Sequence, residues 1–249
     1  MDLALEGSVA LVTGASKGIG RGIAEALCSE GATVAVASRS RERIEETAAE
    51  IGAEPFVHDS RDLDGARWLV RSVEDRLGPL DVLVTNTGGP PPGPDALDFS
   101  RDQWEGAYRD LVLAPMALIE TAVPGMRERG FGRIVNVSST SVREPIAALM
   151  LSNAHRSATL AAFKTLARQL AGDGITLNTI LTGRIATDRL KQNYGSLEAA
   201  EAAAKEQVPA GRLGTVEELA GVAAFLCSGP ASYVTGEAIR VDGGMTASI

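Results

Sequence analysis

The sequence is poor in the side chains that most often carry chemistry. Its 249 residues include 2 cysteines, 2 histidines, 3 tyrosines and 2 tryptophans. Cys28 and Cys227 both stand in apolar helical patterns. Two cysteines make neither a disulfide scaffold nor a four-ligand zinc site, and here they read as small buried hydrophobes. Aromatics at 4% leave no stacking platform for single strands, and a net charge of −8 leaves no basic face for a nucleic acid. No apolar run approaches the ~20 residues of a membrane helix. The opening Met1-Asp-Leu-Ala-Leu-Glu6 lacks the basic start and long apolar stretch of a secretory signal. The expectation is a cytoplasmic protein with no nucleic-acid or membrane partner. With 45% hydrophobic and 22% charged residues, the chain has the balance of a globular domain.

What is present is an alternation. Short β-branched runs at 9–12, 33–37, 55–57, 82–84, 133–137, 175–180 and 238–241 are separated by helical stretches at about 18–30, 41–51, 63–77, 101–126, 148–171, 196–205 and 216–226. The runs are nearly continuous in apolar residues, as strands buried on both faces require. This predicts one α/β domain over 1–249, a doubly wound parallel sheet of seven strands, with no linker and no further repeat. Two segments break the rhythm, the Pro-rich Gly88–Pro94 and the stretch 187–209. Both follow strands and therefore emerge at the carboxyl edge of the sheet, where a substrate loop is expected.

The first strand runs into Thr13-Gly-Ala-Ser-Lys-Gly-Ile-Gly20, which opens the first helix. Glycines at that turn let a pyrophosphate approach the backbone, and the helix N-terminus offers free N–H groups. Gly14, Ser16, Lys17, Gly18, Ile19 and Gly20 are the expected contacts. At the close of the second strand an acid would bind ribose hydroxyls and repel a 2′-phosphate. Ser38 stands there instead, followed by Arg39, which favours NADP(H) over NAD(H).

On these motifs the chain resembles the short-chain dehydrogenase/reductases, a Rossmann-type family, over nearly its whole length. The resemblance places Asp59 and Ser60 near the adenine, Asn86 and Gly88 of Thr85-Asn-Thr-Gly88 beside the cofactor, and Gly183, Ile185 and Thr187 of Thr182-Gly-Arg-Ile-Ala-Thr187 at the nicotinamide carboxamide. Gly211-Arg-Leu-Gly214 and Val241-Asp-Gly-Gly244 match the C-terminal signatures. The family's helix pairing implies a homotetramer, and the apolar residues of Leu111–Ile119 and Thr159–Phe163 extend beyond one stripe.

The working residues depart from the pattern. The family uses Asn, Ser, Tyr and Lys. The serine falls on Ser139, but the tyrosine position, thirteen residues on, is Ser152. The lysine position is Arg156 and the asparagine position is Leu111. A phenol can be tuned toward neutrality, whereas an aliphatic hydroxyl is a far poorer acid and arginine holds its proton. Ser139 and Ser152 are therefore expected to bond a substrate oxygen, with Arg156 supplying charge and a cofactor contact. His155 and Tyr194 are candidate replacements for the missing acid. The leading expectation is an NADP(H)-dependent oxidoreductase acting on a small carbonyl or alcohol, with a 3-oxoacyl compound among the candidate substrates. The alternatives are an NADP(H)-binding sensor or structural subunit without turnover, and a non-redox lyase or dehalogenase.

Overall fold

The computed structural model describes residues 1–249. Strand β1 (Val9–Thr13) leads into helix α1 (Gly18–Ser29), β2 (Thr33–Ser38) into α2 (Arg41–Ile51), and β3 (Glu54–Val57) into α3 (Gly65–Leu77). Strand β4 (Val82–Thr85) is followed by α4 (Arg101–Tyr108) and α5 (Ala114–Arg129), and β5 (Gly132–Ser139) by α6 (Met150–Leu170). After β6 (Ile175–Thr182) come α7 (Asp188–Tyr194), α8 (Leu197–Gln207) and α9 (Val216–Leu226), and β7 (Ala238–Val241) closes the chain. The seven strands form one sheet in the order β3-β2-β1-β4-β5-β6-β7, and every pair is parallel. The order reverses between β1 and β4, so the loops after these two strands diverge and leave a crevice at the carboxyl edge.

The strand alternation divides the core in two. Ala10 and Val12 of β1 join Ile23, Leu27, Leu219 and Ala223 on one face, while Val9 and Leu11 join Leu69, Val73, Met126 and Phe163 on the other. On the first face α1 and α9 pack so closely that a Cβ on Gly22 would lie 2.1 Å from Val216. A smaller cluster of Ala200, Ala204, Val208 and Leu213 sits under α7 and α8.

Two expectations need correction. The predicted helix over 101–126 is broken, because a π turn at Arg109–Leu113 separates α4 from α5. Pro115 supplies the reason. It has no N–H to donate to the Leu111 carbonyl, so the ladder skips a partner there. The freed carbonyl accepts from Thr159 Oγ1 of α6 at 2.6 Å. The stretch after β6 is also more ordered than a connector with one helix. Thr187 caps α7 by accepting from Leu190 N–H, and Ser196 caps α8 by accepting from Ala199 N–H.

Replacing Thr159 by Val keeps the shape and orphans the Leu111 carbonyl. A loss of about 1–3 kcal/mol of stability is expected, read as a lower denaturant midpoint at unchanged slope. An unchanged midpoint would show that the carbonyl has another partner.

Candidate functional site

The crevice floor begins at the glycine turn. Gly14 and Gly18 have φ of +59° and +57°, in the left-handed region. A Cβ on Gly14 would stand 2.5 Å from the Asn86 carbonyl, and one on Gly20 2.4 Å from the Gly14 carbonyl. Asn86 braces this turn directly. Its Nδ2 donates to the Gly14 carbonyl at 3.1 Å, and its N–H donates to Thr13 Oγ1 at 3.0 Å. The first turn of α1 has no acidic residue and no side-chain cap, so its N–H groups stay open to an anion. Ser16 and Ile19 lie along this opening, and the Ser16 carbonyl accepts from Thr47 Oγ1. Lys17 forms an ion pair with Asp188 at 3.1 Å, which ties the glycine turn to the start of α7.

A second compartment opens past β2 and β3. It has a volume of about 340 Å³ and is lined by Arg39, Val57, His58, Asp59, Asp62, Gly65 and Trp68. Ser38 is buried at the end of β2 and presents no carboxylate. Asp59 accepts from Arg61 N–H and thereby shapes the turn that holds Ser60. Burial pushes the His58 imidazole below its ordinary value, against the pull of Asp62 and Asp59. Arg39 is therefore the cation of this compartment. The two compartments together suit a dinucleotide, with its pyrophosphate on α1 and its adenosine end beside Arg39.

The far wall comes from β6 and the segment after it. Gly183 lies so close to Asp242 that a Cβ would stand 2.6 Å from its Cα. Ile185 is buried and bridged to Gly214. Thr187 reaches back to the glycine turn, where a Cβ on Gly18 would meet its methyl at 3.6 Å. Gly88 is exposed with open space around it.

Of the residues in the family's catalytic positions, Ser139 stands at the end of β5 and Ser152 and Arg156 on the first turns of α6. Ser139 Oγ accepts from Ser141 N–H at 3.1 Å. Ser152 Oγ accepts from Arg156 Nε at 3.1 Å, and Arg156 Nη1 donates to the Val137 carbonyl at 3.0 Å. Both serine oxygens are thus acceptors within the protein, which leaves both O–H protons to donate elsewhere. Burial, and then the charge of Arg189, push the Arg156 guanidinium down to about 10.

The structure separates the two candidate acids from this group. His155 Nδ1 donates to the Leu151 carbonyl at 2.8 Å, and its ring lies 5.3 Å from Trp104 and 6.1 Å from Tyr108, on the α4 side of α6. Tyr194 packs on the small α7–α8 cluster under the Arg184 guanidinium. Sequence reasoning missed Arg189, which donates to the carbonyls of Gly89 at 3.0 Å and Pro90 at 2.8 Å. Its only signal was its place two residues beyond Thr187.

Residues 14–246 match the family model described as Enoyl-(Acyl carrier protein) reductase. The 3-oxoacyl-[acyl-carrier-protein] reductase FabG of Vibrio harveyi is 34% identical over 244 residues, covering 97% of this chain and 98% of that one. This chain is a short-chain dehydrogenase/reductase. The NADPH-dependent reductase BacG of Bacillus subtilis is 33% identical over 256 residues, covering 96% of this short-chain dehydrogenase/reductase and 98% of its relative. The L-sorbose reductase of Gluconobacter frateurii, solved with NADPH and L-sorbose, superposes with a TM-score of 0.92 at 31% identity over 100% of both chains.

Arg39→Ala is expected to weaken NADP+ binding by about tenfold or more while leaving NAD+ binding nearly unchanged. Equal weakening of the two in a calorimetric titration would remove Arg39 from the 2′-phosphate.

Proposed function

We propose that this short-chain dehydrogenase/reductase passes hydride between NADP(H) and a small carbonyl or alcohol substrate without a tyrosine acid. The observation that carries the reading is the bond from Arg156 Nε to Ser152 Oγ on α6. It turns a weakly acidic hydroxyl into a fixed donor backed by a full positive charge. The glycine turn, Arg39 and the NADPH-dependent relatives support the cofactor assignment.

NADPH, when bound, supplies the hydride. Negative charge then grows on the substrate oxygen as the carbon is reduced. In this reading Ser139 and Ser152 donate their O–H groups to that oxygen. Arg156 holds Ser152 in place and stabilises the developing charge, as preorganised donors do in an oxyanion hole. The proton that completes the alcohol comes from solvent after the hydride has moved. His155 serves packing in this reading, since its Nδ1 is spent on Leu151 and its ring on Trp104 and Tyr108.

No helix is long and apolar enough to cross a membrane. The two free cysteines support a cytoplasmic setting. Val112 and Leu113 of the π turn, Met116 of α5 and Leu160 of α6 remain half-buried, which supports a homotetramer through those helices. Light scattering that returns only monomer over a concentration series would overturn the tetramer.

Ser152→Ala and Arg156→Met should each lower NADPH turnover on a reducible ketone by about 10²–10³. Wild-type turnover should be flat from about pH 6 to about pH 9 and fall at higher pH, as Arg156 loses its proton near the value of about 10. A break near the ordinary imidazole value of about 6.5 that disappears in His155→Phe would make the histidine the acid instead. Tight NADPH binding with no turnover across a carbonyl panel would favour a sensor or structural role.

A further inference from the structure

The compartment past β2 and β3 sets one cation against two carboxylates. Arg39, Asp59 and Asp62 are its permanently charged lining residues at neutral pH. Asp59 Oδ1 accepts from Arg61 N–H at 3.0 Å and Asp62 Oδ1 from Gly65 N–H at 2.9 Å, so the turn into α3 fixes both acids. Arg61, the other cation of that turn, is drawn off by Asp110, which accepts from its Nε at 3.2 Å and its Nη2 at 3.2 Å. The 2′-phosphate of NADP(H) brings a charge of about −2 near neutral pH. Arg39 alone does not offset that charge beside two carboxylates.

His58 stands where the missing charge is needed. Strands β2 and β3 pair with Ser38 opposite Val57, and His58 N–H donates to the Ser38 carbonyl at 3.0 Å. The next residues of the two strands, Arg39 and His58, therefore leave the sheet edge as neighbours, and both line the same cavity of about 340 Å³. No hydrogen bond within the protein holds the His58 ring, so both of its nitrogens are open to a ligand. Asp62 and Asp59 are the acids that act on the imidazole, and Arg39 shares the cavity without acting on it. From β3 the cavity receives Val57, and from α3 Gly65 and Trp68, none of which titrates.

We propose that His58 is a second, titratable cation of the 2′-phosphate site, which takes up a proton from solvent as NADP(H) binds and so makes the preference for NADP(H) over NAD(H) depend on pH. This rests on the assignment of Arg39 and its compartment to the 2′-phosphate. In the free protein burial outweighs the two acids and holds the imidazole below its ordinary value, so it is neutral at pH 7. A phosphate dianion beside it favours the charged form, and the protonated ring offers two N–H donors. By linkage, whatever raises the proton affinity of His58 on binding also tightens binding as pH falls.

The test is calorimetric titration of the protein with NADP+ and with NAD+ at pH 7, each in two buffers of different ionisation enthalpy. At that pH the free 2′-phosphate, with a second pKa of about 6, has little proton left to release. NADP+ binding should take up about half a proton and NAD+ binding almost none. His58→Gln should abolish the uptake and weaken NADP+ about fivefold or more at pH 6.5, but by less than about twofold at pH 8.5. His58→Arg carries a permanent charge; it should bind NADP+ more tightly than the wild type at pH 8.5, again without uptake. Wild-type binding with no uptake, equal uptake with NAD+, or uptake that survives His58→Gln each overturns the proposal. NADP+ bound no more tightly than NAD+ at any pH overturns both the proposal and the assignment of Arg39. Tighter NADP+ binding without proton uptake overturns His58 alone. Binding needs no turnover, so a protein that takes up the proton yet reduces no carbonyl loses the reductase reading and keeps this site.

Discussion

Arg156 donates to Ser152 on its own helix and to the Val137 carbonyl on β5, and this pair of bonds joins the two elements that carry the groups proposed to react. Without it, Ser152 would be one hydroxyl among several on α6. With it, the hydroxyl is oriented and polarised by a charge that burial has stripped of water. The same bonds explain why an arginine can stand where the family has lysine. A planar guanidinium reaches two acceptors at once, which an ammonium on a flexible stem does less rigidly.

The fold was legible because its signals are repetitive and mutually consistent. Seven apolar runs, each followed by a helical stretch, leave few arrangements other than a parallel sheet covered on both faces. The glycine turn was legible for a sharper reason. Gly14 and Gly20 stand where a Cβ would collide with the backbone or with Asn86, so the sequence had to place glycine there. The helical stretch at about 216–226 matches α9, which Thr215 and Glu218 begin with a capping box.

The departures came from interactions between distant segments. Pro115 made the π turn, but only the meeting of α5 with α6 shows that Thr159 takes up the freed Leu111 carbonyl. His155 shares a helix with Ser152, yet Trp104 and Tyr108 claim its ring from 47 or more residues away in sequence. Arg189 looked like one charge among many in a polar stretch until Gly89 and Pro90 were seen to hold it 100 and 99 residues away. Helical periodicity and spacing report what is local; a site assembled at a sheet edge is not local.

The central claim is that hydride transfer in this protein is not coupled to proton donation from a side chain. Isotope effects on turnover test it most directly. Reduction with NADPH deuterated at the transferring position should be slowed, while replacing water by deuterium oxide should leave that step nearly unchanged. A substantial solvent effect that appears together with the hydride effect in the same step would contradict the account, because it would require an acid acting in concert with the hydride.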